Sequence, residues 1–139
     1  MKVLKQGFTL IELLVVIAII GILAAVILSS LNDAREQGVE AKIKTEMDSI
    51  AKRAAIEQNQ QFTYDMVCGS NGIATSTTIV GIIASINNLA SSTVTCNSDT
   101  DAFAVSVPVS TGHWCVDSTG IKRRINSALN TSPAELTCP

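Results

Sequence analysis

Apolar and polar positions follow three successive regimes along the chain. From Phe8 to Leu28 the sequence reads "FTLIELLVVIAIIGILAAVIL", 21 residues whose one charge is Glu12. As a helix, such a run reaches across a hydrocarbon layer about 30 Å thick. From residue 29 to about 62 a helical rhythm continues without proline. Leu31, Ala34, Ala41, Ile43, Met47, Ile50, Ala54 and Ile56 recur at three- and four-residue steps, with charged residues between them. The two regimes predict one helix from Phe8 to about Gln61, about 80 Å long at 1.5 Å per residue. Its first half is apolar all round and its second half is amphipathic.

The third regime predicts a small head. After the turn cluster "GSNG", the segment "STTIVGIIASINNLA" sets Ile79, Ile82, Ile83, Ile86 and Leu89 on one face. This predicts a short second helix capped near Ser76. From Val94 onward the spacing changes to alternation: "AFAVSVPV" and "HWCVDS" flank Ser110–Thr111–Gly112 like a β-hairpin. Pro108 puts the first of these strands at an edge or ends it there. A third short strand is expected around Gly120 to Ile125. The fold class is therefore α+β, a long N-terminal helix packed on a small antiparallel sheet, with a second helix in the connection.

Charge changes the picture at Glu12. A carboxylate near the middle of a lipid-embedded helix costs about 2.5–3.5 kcal/mol on insertion scales, so it calls for a partner. Lys2 and Lys5 precede the apolar run, while Asp33, Arg35 and Glu36 follow it. The excess of lysine before the run orients the N-terminus to the cytoplasm and the chain beyond about residue 30 to the outside. Cys68, Cys96, Cys115 and Cys138 all fall in that external part. An even count without C-x-x-C spacing reads as disulfides rather than as a zinc site.

Catalysis finds no residues to carry it: there is one histidine, no glycine-rich phosphate loop and no assembled nucleophile–base pair. The chain reads as a non-enzyme without a cofactor or metal. His113 beside Trp114 reads as a hairpin residue. Asp99 and Asp101 in "NSDTDA" fall short of a calcium loop's ligand count and read as a polar turn. The triplet Lys122–Arg123–Arg124 sits in a chain with ten Lys and Arg against twelve Asp and Glu. It reads as a solvated turn, and no nucleic-acid partner is assumed. Asn130–Thr131–Ser132 fits a glycosylation sequon, a tripeptide common by chance.

Three readings compete for residues 1–30. A secretory signal has a shorter apolar region, and a plain signal anchor leaves Glu12 unexplained. A retained helix whose carboxylate is neutralised by another subunit accounts for the length, the lysines and the glutamate together. The basic leader Met1 to Gly7, followed by "FTLIELLVVIAIIGILAAV", resembles the start of type IV prepilins and the related type II secretion pseudopilins. The resemblance covers about the first 30 residues. It implies that a prepilin peptidase cuts between Gly7 and Phe8 and that Phe8 is N-methylated. It also implies that Glu12 pairs with the Phe8 amine of a neighbouring subunit in a homopolymer built through the helix. Many pilins carry a proline about three turns after this glutamate; here the first proline is Pro108.

The expected organisation is a leader at 1–7, a transmembrane and assembly half-helix at 8–30, an amphipathic half at 31–62 and a disulfide-stapled head at 63–139. The function implied is a type IV pilin subunit, anchored in the inner membrane as precursor and polymerised by pilus assembly machinery into an extracellular filament. A type II secretion pseudopilin is the alternative, and a monomeric membrane-anchored binding module a further one. The cysteines favour the pilin, since pseudopilin heads lean on calcium rather than disulfides. Four cysteines allow three connectivities. Cys68–Cys96 with Cys115–Cys138 is favoured, the second tying the tail "SPAELTCP" to the hairpin like the C-terminal disulfide-bound loop of type IV pilins. Cys96–Cys115 with Cys68 reaching the tail remains the alternative.

Overall fold

The computed structural model describes residues 7–90 and 93–139; residues 1–6, with Lys2, Lys5 and most of the expected leader, lie outside the described residues. Helix α1 spans Leu10–Gln61, starting two residues later than the apolar pattern begins. The chain divides into two units at the Gln37–Gly38 bond. In the first unit every described residue is exposed, including all large apolar side chains from Phe8 to Leu31. This part of α1 is long and apolar enough to cross a membrane. None of the described residues covers it.

The second unit holds the core. Along α1, Ile43, Met47, Ile50, Ala54 and Glu57 are buried, steps of four, three, four and three that keep one face inward. Leu31 and Ile56 belong to the same apolar series in sequence, yet they are 64% and 46% exposed. Successive residues of an α-helix are 100° apart, and neither residue falls on the stripe of Ile43, Met47, Ile50, Ala54 and Glu57. Phe62 ends the helix in a left-handed conformation, φ 58°, its N–H donating to Gln58 O at 2.7 Å.

Beyond α1 come a single turn of helix, α2 (Asp65–Cys68), and α3 (Thr77–Ala90). Ile79 and Ile86 of α3 are buried, and Ile82, Ile83 and Leu89 pack against the core partly exposed. The expected second helix is therefore present, starting just after Ser76. Four antiparallel strands follow in the order β1 (Thr95–Ser98), β2 (Phe103–Pro108), β3 (His113–Asp117) and β4 (Lys122–Ile125). The sequence pattern missed β1 and α2, because four residues are too few for a period to declare itself. Pro108 closes β2 rather than marking an edge, since β2 lies between β1 and β3. Gly112 turns the β2–β3 hairpin at φ +84°, where a Cβ would meet Ile125 O at 2.5 Å.

Both faces of this sheet are covered. Phe103, Val105, Val107 and Val116 join the α1 residues in one core. Ala104, Cys115 and Ile125 face the other way and pack with Leu129 and Cys138 of the C-terminal segment. Alternation along β2 thus serves two cores at once, and its central residues are all buried. The tail is held by more than the disulfide: Leu129 is buried, the Asn97 amide donates to Asn130 O and Glu135 O at 2.8 and 2.9 Å, and Cys138 N–H donates to Asp117 Oδ2 at 2.8 Å.

These burials predict unequal consequences along α1. Met47→Ala is expected to destabilise the head by about 2–5 kcal/mol, because it opens a cavity in a fully buried position. Ile56→Ala is expected to cost below about 1 kcal/mol. Urea unfolding followed by Trp114 fluorescence in detergent micelles compares them; equal midpoints would contradict the assigned core face.

Candidate functional site at the start of the long helix

Gly7, Phe8 and Thr9 lead into the first turn of α1 without regular secondary structure. Thr9 is followed three positions later by Glu12, the spacing of a capping box. The Glu12 carboxylate accepts Thr9 N–H at 2.9 Å and Thr9 Oγ1–H at 2.7 Å. Glu12 N–H in turn donates to Thr9 Oγ1 at 3.3 Å. The local reason for a glutamate here is thus visible within one chain: it satisfies donors that the first helical turn leaves open. The sequence reading passed over this role, although the T-x-x-E spacing is its signal.

Hydrogen bonds from Thr9 are neutral, and no cation from this chain pairs with the carboxylate among the described residues. Both Thr9 and Glu12 lie on the C-terminal side of the Gly7–Phe8 bond. Phe8 is 84% exposed, and no atom of the described residues stands within 4 Å of the position a Cβ on Gly7 would take.

Disulfides join Cys68 to Cys96 and Cys115 to Cys138, the favoured of the connectivities. The first ties α2 to β1 and is half-buried; the second is buried and ties β3 to the tail. Arg123 Nη2 donates to Cys138 O at 2.9 Å and strengthens the same closure.

The basic triplet is a strand rather than a turn, and each member is engaged. Lys122 pairs with Asp48 at 2.9 Å and Arg124 with Glu40, both acids on α1. Residues 122 and 124 share one face of β4, so period two delivers both cations to the helix while Arg123 serves the other face. Glu40 also accepts from Lys44 at 2.7 Å and Ser110 Oγ at 2.6 Å, and Lys44 Nζ lies 4.7 Å from the centre of the Trp114 ring. Lys44 and Ser110 together hold the Glu40 carboxyl down to about 2. Asp99 Oδ1 accepts the N–H groups of Asp101 and Ala102, both at 2.8 Å, a polar turn. The Asn130 amide donates to Glu135 at 3.0 Å. His113 sits half-buried in β3, paired across the sheet with Pro108 and Ile125.

With this geometry in place, a family match falls on the same segment. Residues 4–28 match the prokaryotic N-terminal methylation motif. The type IV major fimbrial protein FimA of Dichelobacter nodosus is 60% identical over 42 residues, 29% of this chain and 26% of that protein. A fimbrial protein of Neisseria meningitidis serogroup A is 42% identical over 83 residues, 58% of this chain and 48% of that protein. One of serogroup B is 42% identical over 86 residues, with the same coverage. The chain thus spans about a quarter to a half of the length of the relatives it matches. These relatives are fimbrial proteins.

Because a depressed carboxyl stabilises the fold above its unfolded pKa and loses that contribution as pH falls through its folded value, the Glu40 clamp should hold at neutral pH. Its contribution should fade between about pH 4.5 and 2. Glu40→Gln is expected to lower stability at pH 7 and to flatten the pH dependence across that window. Acid titration of the unfolding midpoint checks this, and parallel curves for both proteins would refute it.

Removing the buried Cys115–Cys138 bridge by a double serine substitution is expected to cost about 3–4 kcal/mol in the chain-entropy view. Thermal unfolding with and without reductant measures it. An unchanged midpoint would mean that the hydrogen bonds of Asp117 and Arg123 suffice to hold the tail.

Proposed function

We propose that this chain, whose residues 4–28 carry the N-terminal methylation motif of the type IV pilin and pseudopilin superfamily, is a type IV pilin subunit. The observation that carries the reading is the bare apolar helix with its single carboxylate at Glu12, inside that motif. Prepilin peptidase cuts after Gly7 and methylates Phe8, so residues 1–7 leave as the leader. Residues 8–30 hold the precursor in the inner membrane with its N-terminus inside, and residues 31–62 carry the head, 63–139. Pilus assembly machinery then transfers the apolar half-helix from lipid to a bundle of identical helices, forming a surface filament.

In both settings water is absent, which makes an unpaired charge expensive. Cleavage creates a charged amine on Phe8, four positions before Glu12. Pairing one subunit's carboxylate with a neighbour's amine neutralises both charges and fixes the axial register of the helices. Thr9 orients Glu12 for this, filling part of its hydrogen-bonding capacity and leaving the remainder for the cation. The fimbrial relatives and the two disulfides favour the pilin over a secretion pseudopilin.

Mass spectrometry of the mature N-terminus and electron microscopy of sheared filaments test the reading together. Gly7→Leu is expected to leave the full-length mass in the membrane. Glu12→Gln is expected to be processed and inserted normally, or inserted better, while filament yield collapses. An intact Met1 on the wild-type protein would leave a membrane-anchored binding module instead. Equal filament yield from Glu12→Gln and wild type would defeat the register.

A further inference from the structure

Asn71–Gly72 is the one Asn–Gly pair among the chain's eight asparagines. The pair forms the centre of a tight turn: Ile73 N–H donates to Ser70 O at 2.9 Å, and φ is 51° at Asn71 and 78° at Gly72, as in a type I′ turn. Asn71 is exposed, and no atom of the described residues stands within 4 Å of the position a Cβ on Gly72 would take. Its side chain is nonetheless committed. Asn71 Nδ2 donates to Asp65 Oδ1 at 2.8 Å, beside Ser70 Oγ at 2.7 Å on the same oxygen and Thr63 Oγ1 at 2.7 Å on the other. Asp65 is buried, and Thr63 and Ser70 hold its carboxyl below the usual range, so it is an anion that depends on these donors.

We infer that Asn71 is a site of spontaneous deamidation, a one-way modification that replaces one of Asp65's donors with a second carboxylate. The Gly72 backbone nitrogen attacks Asn71 Cγ and gives up its proton to solvent. The Cγ–Nδ2 bond breaks, ammonia leaves, and a five-membered succinimide closes. Water opens the ring at either carbonyl and yields aspartate or isoaspartate. One water is consumed and one ammonia released, with no change of oxidation state. Glycine is the residue that permits this, because it has no Cβ beside the attacking nitrogen. Each of the other seven asparagines precedes a residue with a side chain.

The consequence follows from the contacts. An ionised carboxylate is an acceptor only, so the new group faces Asp65 with like charge where a hydrogen bond stood. Isoaspartate also lengthens the backbone of a turn whose closure depends on its present length. Asp65 O accepts the N–H groups of Gly69 and Ser70, so the disturbance reaches the end of α2 and the half-buried Cys68–Cys96 bridge. Deamidation therefore loosens residues 65–76 while the sheet, stapled separately by Cys115–Cys138, stays closed.

Incubating the folded full-length protein, in detergent micelles, in neutral buffer made with heavy-oxygen water tests both steps. Fragment mass spectrometry reads label at each asparagine. Label is expected at Asn71 roughly tenfold ahead of every other asparagine, since glycine alone leaves the attacking nitrogen unhindered. Label at Asn71 no faster than at the exposed Asn59 would overturn the site. Asn71→Asp is expected to raise hydrogen exchange in residues 65–76 and the rate at which a water-soluble phosphine opens Cys68–Cys96, with exchange in β2 and β3 unchanged. Exchange at 65–76 identical to that of the wild type would overturn the loosening.

Discussion

The residues from Phe8 to Leu31 leave every large apolar side chain uncovered, and the rest of the molecule's behaviour follows from that surface. Withdrawing one such side chain from water contributes about 1.5–3 kcal/mol, against a net stability of about 5–15 kcal/mol for a typical domain. A helix of this kind is therefore not a finished surface. Under the proposed function, lipid covers it, or other apolar helices do. Both are dry, and in both Glu12 is the exceptional residue. Thr9 answers its hydrogen-bonding needs within the chain but not its charge, which is why the proposed partner is a cation.

The second unit solves the opposite problem. A small head has little apolar interior to spend, and here the sheet divides that interior between two faces. One face packs on α1 and α3 around Met47, Ile50 and Val105; the other is closed by the C-terminal segment around Leu129 and the Cys115–Cys138 bridge. Polar groups complete what apolar area leaves open. Asp117 caps its own turn through Thr119 and holds Cys138, and Glu57, buried in α1, accepts from Arg53 and from Ser76 at the start of α3. Glu40 and Asp48 fasten the edge strand β4 to the helix through Arg124 and Lys122. Cationic side chains along that edge also discourage pairing with another strand.

The long helix, the alternating hairpin and the helix after Ser76 were legible in the sequence because each repeats its period often enough to be read. The apolar run and the T-x-x-E spacing at Thr9–Glu12 are local properties, fixed within a few residues, so the chain by itself determined an exposed membrane-competent helix with one carboxylate in its first turn. Its short neighbours, α2 and β1, have no period to read and take their form from the Cys68–Cys96 bridge and pairing with β2. Only the tertiary structure chose which apolar residues of α1 form the core, keeping Met47 and leaving Ile56 outside. It also turned Lys122 and Arg124 from solvated charges into anchors for α1, and joined Cys138 to β3 rather than to another strand. Each of these depends on groups distant in sequence meeting at one place, and neither composition nor periodicity records which distant groups will meet.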